Sequence, residues 1–87
     1  MLLIKRIVLD VLKPHHPNSI DFTLSIAEKS PGSRVELTVT EVDEKTETVV
    51  IVIVGENLHY DTIADAVSSM GGSIHSIDKV EVENEPD

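Results

Sequence analysis

The sequence predicts an α+β fold, a two-layer sandwich built in the order strand, helix, strand, strand, helix, strand. Three observations carry this expectation. Two segments with helical spacing each run into a stop that contains glycine, Pro31-Gly32 and Gly71-Gly72. Four other segments alternate, or run apolar, over strand lengths. Phe22 and Tyr60 are the only aromatic residues among 87, so Val, Ile and Leu must fill the core, which favours sheet-rich packing.

Leu3 to Leu12 is the first strand, with Ile7, Leu9 and Val11 on one side and Arg6, Val8, Asp10 and Leu12 on the other. Lys13-Pro14-His15-His16-Pro17 breaks regular structure, because proline lacks an amide donor and restricts the residue before it. From Ser19 to Lys29 the residues Ile20, Phe22, Leu24 and Ile26 alternate like a strand, yet Ile20, Leu24 and Ala27 share one helical face. Punctuation decides for a helix. Asn18 or Ser19 can cap the first turn, Asp21 suits the positive end of the dipole, and Pro31-Gly32 ends it.

Ser33 to Asp43 places Val35, Leu37 and Val39 on one face and Glu36, Thr38 and Thr40 on the other, as a half-buried strand does. Glu44-Lys45-Thr46-Glu47 turns it into Thr48 to Gly55, a hairpin partner that is apolar on both faces. Ile63, Ala66, Val67 and Met70 then recur at helical spacing, with Asp61 at the start and Gly71-Gly72 at the end. The last strand runs from about Ile74 to Glu83, and Ile77 is out of phase with Val80 and Val82, which predicts a bulge near Asp78-Lys79. Residues 1–83 are therefore read as one domain and 84–87 as an acidic, frayed tail.

This order is the split βαβ arrangement of the ferredoxin-like fold. Right-handed crossovers give a four-stranded antiparallel sheet with both helices on one face, and the usual strand order is 4-1-3-2. The chain also resembles a known family, archaeal domain-of-unknown-function family 211. Arg6-Ile7-Val8-Leu9-Asp10-Val11-Leu12-Lys13-Pro14-His15, Thr40-Glu41-Val42-Asp43 and Gly71-Gly72-Ser73-Ile74-His75-Ser76-Ile77-Asp78 carry the resemblance. It implies a ferredoxin-like fold, an archaeal cytoplasmic setting and an oligomeric assembly, and it implies no known activity.

Sixteen acidic against seven basic side chains give a net charge of -9, which argues against nucleic acid and anionic lipid as partners. The absence of cysteine removes disulfides, thiolate metal sites and thiol catalysis. Met1-Leu2-Leu3-Ile4 is followed at once by Lys5-Arg6, leaving no signal-peptide core, and no apolar span reaches membrane length. A soluble cytoplasmic protein is expected.

Two helices cover one face of a sheet, so the other face of a central Thr48–Gly55 strand is left to solvent or a partner. Ile51 and Ile53 are the larger residues and suit the core, which places Val50, Val52 and Val54 outward beside Val8 and Leu12. Monomers rarely leave such a patch exposed. A homo-oligomer is therefore expected, with Arg6, Val8, Asp10, Leu12, Val50, Val52 and Val54 at its interface, and with Arg6 of one copy set against Asp10 of the next. The plainer reading is of tolerated wet valines and two solvated charges.

One end of the sheet collects His15, His16 and His75 near Asp43 and Glu47. Imidazoles with carboxylates suit a divalent transition metal such as zinc, and oxygens alone suit calcium or magnesium. No recognised metal spacing is present, and ordinary loop histidines are the competing reading. No serine lies in a nucleophile motif, no phosphate loop occurs, and the open face lacks the aromatic residues with which this fold stacks RNA bases. The function expected is that of a noncatalytic homo-oligomer that holds a divalent metal ion or small ligand near its subunit contacts. A purely structural or protein-interaction oligomer is the alternative, and a small histidine-dependent enzyme is the least favoured.

Overall fold

A computed structural model of the chain describes residues 1–86. The elements are β1 (Leu2–Pro14), α1 (Ser19–Lys29), β2 (Arg34–Val42), β3 (Thr46–Val54), α2 (Tyr60–Ser69) and β4 (Ser73–Asn84). All strand pairings are antiparallel, and the sheet order is β2-β3-β1-β4, the expected 4-1-3-2 read from the other edge. The fold is ferredoxin-like. Asp87 of the predicted acidic tail lies outside the described residues. Before it, β4 runs to Asn84, and Glu85 exchanges backbone hydrogen bonds with Met1 at 2.7 and 2.9 Å.

Period-two alternation decides which side chains enter the core. On β1, Ile7, Leu9, Val11 and Lys13 are buried, and on β3, Val49, Ile51 and Ile53 are buried. Phe22 and Ile26 of α1 and Ile63, Ala66 and Val67 of α2 close over them, so both helices lie on that one face. Val50, Val52 and Val54 therefore point away from the helices, as the larger size of Ile51 and Ile53 predicts.

The helix α1 starts where Asn18 Oδ1 accepts a hydrogen bond from the Asp21 amide at 2.9 Å, which satisfies one of the unpaired first-turn donors. It buries Phe22 and Ile26, whereas Ile20 and Leu24 are 72% and 61% exposed. The helix is thus the predicted one, but the Ile20–Leu24–Ala27 stripe is not its core stripe. Phe22 and Ile26 are also four apart, and the larger ring takes the inward position.

At the end of α2, Gly71 adopts φ 83° and its amide bonds Ser68 O at 3.0 Å, while the Gly72 amide bonds Val67 O at 3.0 Å. These bonds satisfy carbonyls that the helix leaves unpaired, and the left-handed residue is where glycine is favoured.

The last strand is irregular. Its partners step from Val8↔Lys79 to Leu9↔Ile77 and from Asp10↔Ser76 to Val11↔Ile74, leaving Asp78 and His75 as extra residues. The first of these irregularities is the predicted bulge. Ile77 and Val80 stand opposite the buried Leu9 and Ile7, yet on this edge strand they are 49% and 51% exposed.

Candidate functional site

Two regions combine chemistry-bearing residues with unusual burial: the open sheet face and the end of the sheet where β1 leaves for α1.

The open face follows from strand register. Arg6, Val8, Asp10 and Leu12 of β1 stand opposite Val54, Val52, Val50 and Thr48 of β3. Val54, Val52, Val50 and Thr48 in turn face Arg34, Glu36, Thr38 and Glu41 of β2. Val8, Val50, Val52 and Val54 thus form one apolar stripe on the two central strands, and Leu12 extends it at 42% exposure. No helix covers it. Arg6, Arg34 and Glu36 rim a depression of about 200 Å³ floored by Val52 and Val54. Arg6 is ion-paired through Nε to Glu81 of β4. All seven residues predicted for an interface are brought together on this face, with Arg6 and Asp10 at register positions two pairs of rows apart along β1.

At the other region, the inward phase of β1 continues past Val11 to Lys13, and the inward phase of β3 begins at Glu47. These two residues are register partners. The Lys13 side chain is fully buried, a rare state for lysine, and it is accommodated by complete pairing. Its Nζ donates to Pro14 O at 2.7 Å and to Glu47 Oε1 at 3.3 Å, and lies 5.6 Å from the centre of the Phe22 ring.

His15 completes the cluster. Its Nδ1 is 2.8 Å from Glu47 Oε2, and its Nε2 is 3.1 and 3.0 Å from the carbonyl oxygens of Asp43 and Glu44. Every polar neighbour of the ring is an acceptor. The Glu47 carboxylate, then the Glu44 carbonyl, raise the His15 pKa above its ordinary value, while hydrogen bonding to His15, then Lys13, lowers that of Glu47.

Of the residues predicted as metal ligands, the structure gathers His15, Glu47 and Asp43, although Asp43 offers its backbone carbonyl to the cluster. His16 is exposed in the loop after β1, and His75 is exposed as the unpaired residue of the second β4 irregularity. Among the described residues, no group of three or more His, Asp or Glu side chains converges in a way that could hold a metal ion. What His15 and Glu47 do is clamp the hairpin between β2 and β3 onto the end of β1. Lys13 belongs to this cluster and was not among the predicted site residues. Its signal was present in the alternation of Ile7, Leu9 and Val11, which runs on to position 13.

The sequence pattern of domain-of-unknown-function family 211, described as "Uncharacterized ArCR", matches residues 5–85. The chain belongs to this family. A relative from Methanocaldococcus jannaschii, "Uncharacterized protein MJ0319", is 48% identical over 77 residues, covering 88% of this chain and 79% of the relative. The matched span of family 211 takes in both regions described above, from Lys5 to Glu85. No helix among the described residues is long and apolar enough to cross a membrane.

Proposed function

We propose that this member of family 211 is a noncatalytic self-associating module whose open sheet face seats another copy of the chain. The observation that carries this reading is the stripe of Val8, Val50, Val52 and Val54 on the central strands, on the face opposite the helices. Burying one such valine completely contributes about 1.5–3 kcal/mol. A central strand apolar on both faces is costly to leave half solvated, and a contiguous patch of this kind marks an interaction surface.

A structural oligomer is favoured over a metal-holding one, because both ring nitrogens of His15 already face protein acceptors and His16 and His75 lie apart from them. A metal or small ligand at the subunit contacts would need donors from more than one copy.

Native mass spectrometry of protein purified without chelator tests both parts. The expected spectrum shows a homo-oligomer at micromolar concentration, and Val52→Asp shifts it to a folded monomer. A wild-type monomer at that concentration overturns the proposal. An oligomer whose mass includes a divalent ion would return the metal-holding reading to first place.

A further inference from the structure

The open face is electrically divided along the strands. Across one row, Arg6 of β1 and Arg34 of β2 flank Val54. They are the only arginines in the chain. The adjoining row adds Lys79, opposite Val8, and the acids Glu81 and Glu36 leave this half of the face with one net positive charge, three cations against two carboxylates. The other half holds Asp10 opposite Val50 and Glu41 opposite Thr48, with Ser73 and Ser76 on the β4 side, where Ser76 Oγ donates to Asp78 of the bulge at 2.7 Å, and no cation in either row. The valine stripe runs through both halves, from Val54 in the Arg6–Arg34 row to Val50 in the Asp10 row.

We infer that two copies pair face to face with their strands running in opposite directions, about a two-fold axis that lies between the sheets and crosses the strands. This inference rests on the self-association proposed above and adds the partner's orientation. A two-fold contact places the same patch on both sides. With the axis across the strands, the Arg6–Arg34 end of each copy meets the Asp10–Glu41 end of the other, and valines meet valines. With the axis along the strands, the basic ends would meet each other and the acidic ends likewise, and like charges across an interface are strongly disfavoured.

The occupant is a second copy rather than an acidic or basic partner, because the face presents both signs and a partner of one sign would be repelled at one end. Arg6 is already paired with Glu81, whereas Arg34 makes no ion pair among the described residues. Arg34 of one copy and Glu41 of the other are thus the pair whose exchange reads the orientation most cleanly.

The test uses the full chain as Arg34→Glu, as Glu41→Arg and as both together, measured by sedimentation equilibrium in low salt with circular dichroism to establish folding. Each single variant is expected to raise the dissociation constant about tenfold, and the double variant to restore it. An equimolar mixture of the two single variants is expected to form a heterodimer in native mass spectra, because each basic end then meets an acidic one. Added salt at 1 M should shrink these differences, since screening then acts within about 3 Å.

Single variants that associate like the wild type, or a mixture that forms no heterodimer, overturn the orientation. If Val52→Asp alone abolishes association in that case, the open-face reading stands without it. If Val52→Asp also associates unchanged, the open-face reading falls as well.

Discussion

His15 Nδ1 lies 2.8 Å from Glu47 Oε2, and the other oxygen of the same carboxylate receives the fully buried Lys13 ammonium. One carboxylate therefore bridges the Lys13 side chain of β1 and the His15 ring in the loop after it. The ring's remaining nitrogen faces two carbonyls of the β2–β3 turn, so a doubly protonated imidazole satisfies every acceptor around it. The chain end of β1, the hairpin turn and the first turn toward α1 are held as one unit.

This clamp makes stability depend on pH in a defined direction. The His15 pKa is raised above its ordinary 6.5, so its contribution is fully present below 6.5 and is lost as pH rises through the raised value. The Glu47 pKa is lowered from 4.5, so its contribution is present above 4.5 and is lost as pH falls through the lowered value. The clamp is at full strength between the two ordinary values. The gap in melting temperature between wild type and His15→Gln should be widest there and narrow on the alkaline side. A gap that stays constant from acid to alkaline pH would contradict this account.

Lys13 is expected to matter more for its volume than for its charge. Lys13→Met keeps a long chain against Phe22 and leaves Glu47 paired with His15, so most of the stability should remain. Lys13→Ala opens a cavity beside Phe22 and should cost about 2–4 kcal/mol, in the range of large-to-small core truncations. Urea denaturation of the two variants would separate these outcomes, and equal losses would show that the ion pair dominates.

Adjacent residues on β3 should have opposite phenotypes. Ile53→Ala removes a fully buried side chain from under the helices and should lower stability by about 2–5 kcal/mol with association retained in the folded fraction. Val52→Ala leaves the core untouched and should change the melting temperature little while weakening association. Asp10→Ala should likewise weaken assembly without unfolding the chain, and an unchanged oligomer mass would reject a role for that carboxylate.

Gly72 is held by space rather than by backbone angle. A Cβ there would sit 2.9 Å from Phe22 Cζ and from Val67 Cγ1, and 3.1 Å from Val67 O. Gly72→Ala should destabilise by about 1–3 kcal/mol through overpacking. A thermal melt showing no loss would mean that the α2–β4 corner yields more readily than this packing implies.

Much of the architecture was legible in the residues because each strand carries its own period. The alternation of Ile7, Leu9 and Val11 and the sizes of Ile51 and Ile53 point those side chains inward, and the phase break between Ile77 and Val80 marks the bulge. Asn18, Asp21 and Gly71-Gly72 place the helix ends for local reasons that need no tertiary partner. The core face of α1 was harder, since two apolar pairs with the same four-residue spacing compete and packing chooses Phe22 and Ile26. The metal reading of His15, His16 and His75 could not be judged from position in the chain, because their ends of the fold coincide while their side chains reach different neighbours.

The sequence by itself therefore determined the elements, their order and which residues of a strand share a face, since these depend on spacing within one segment. The outward face of Thr48 to Gly55, apolar on both sides, was decided instead by the helices that cover Val49, Ile51 and Ile53. Only the tertiary structure decided which residues meet across segments. Register sets buried Lys13 opposite Glu47 and places Arg6 and Arg34 on either side of Val54. Those meetings depend on how strands slide past one another, and that is settled by the whole packed sheet rather than by any one strand.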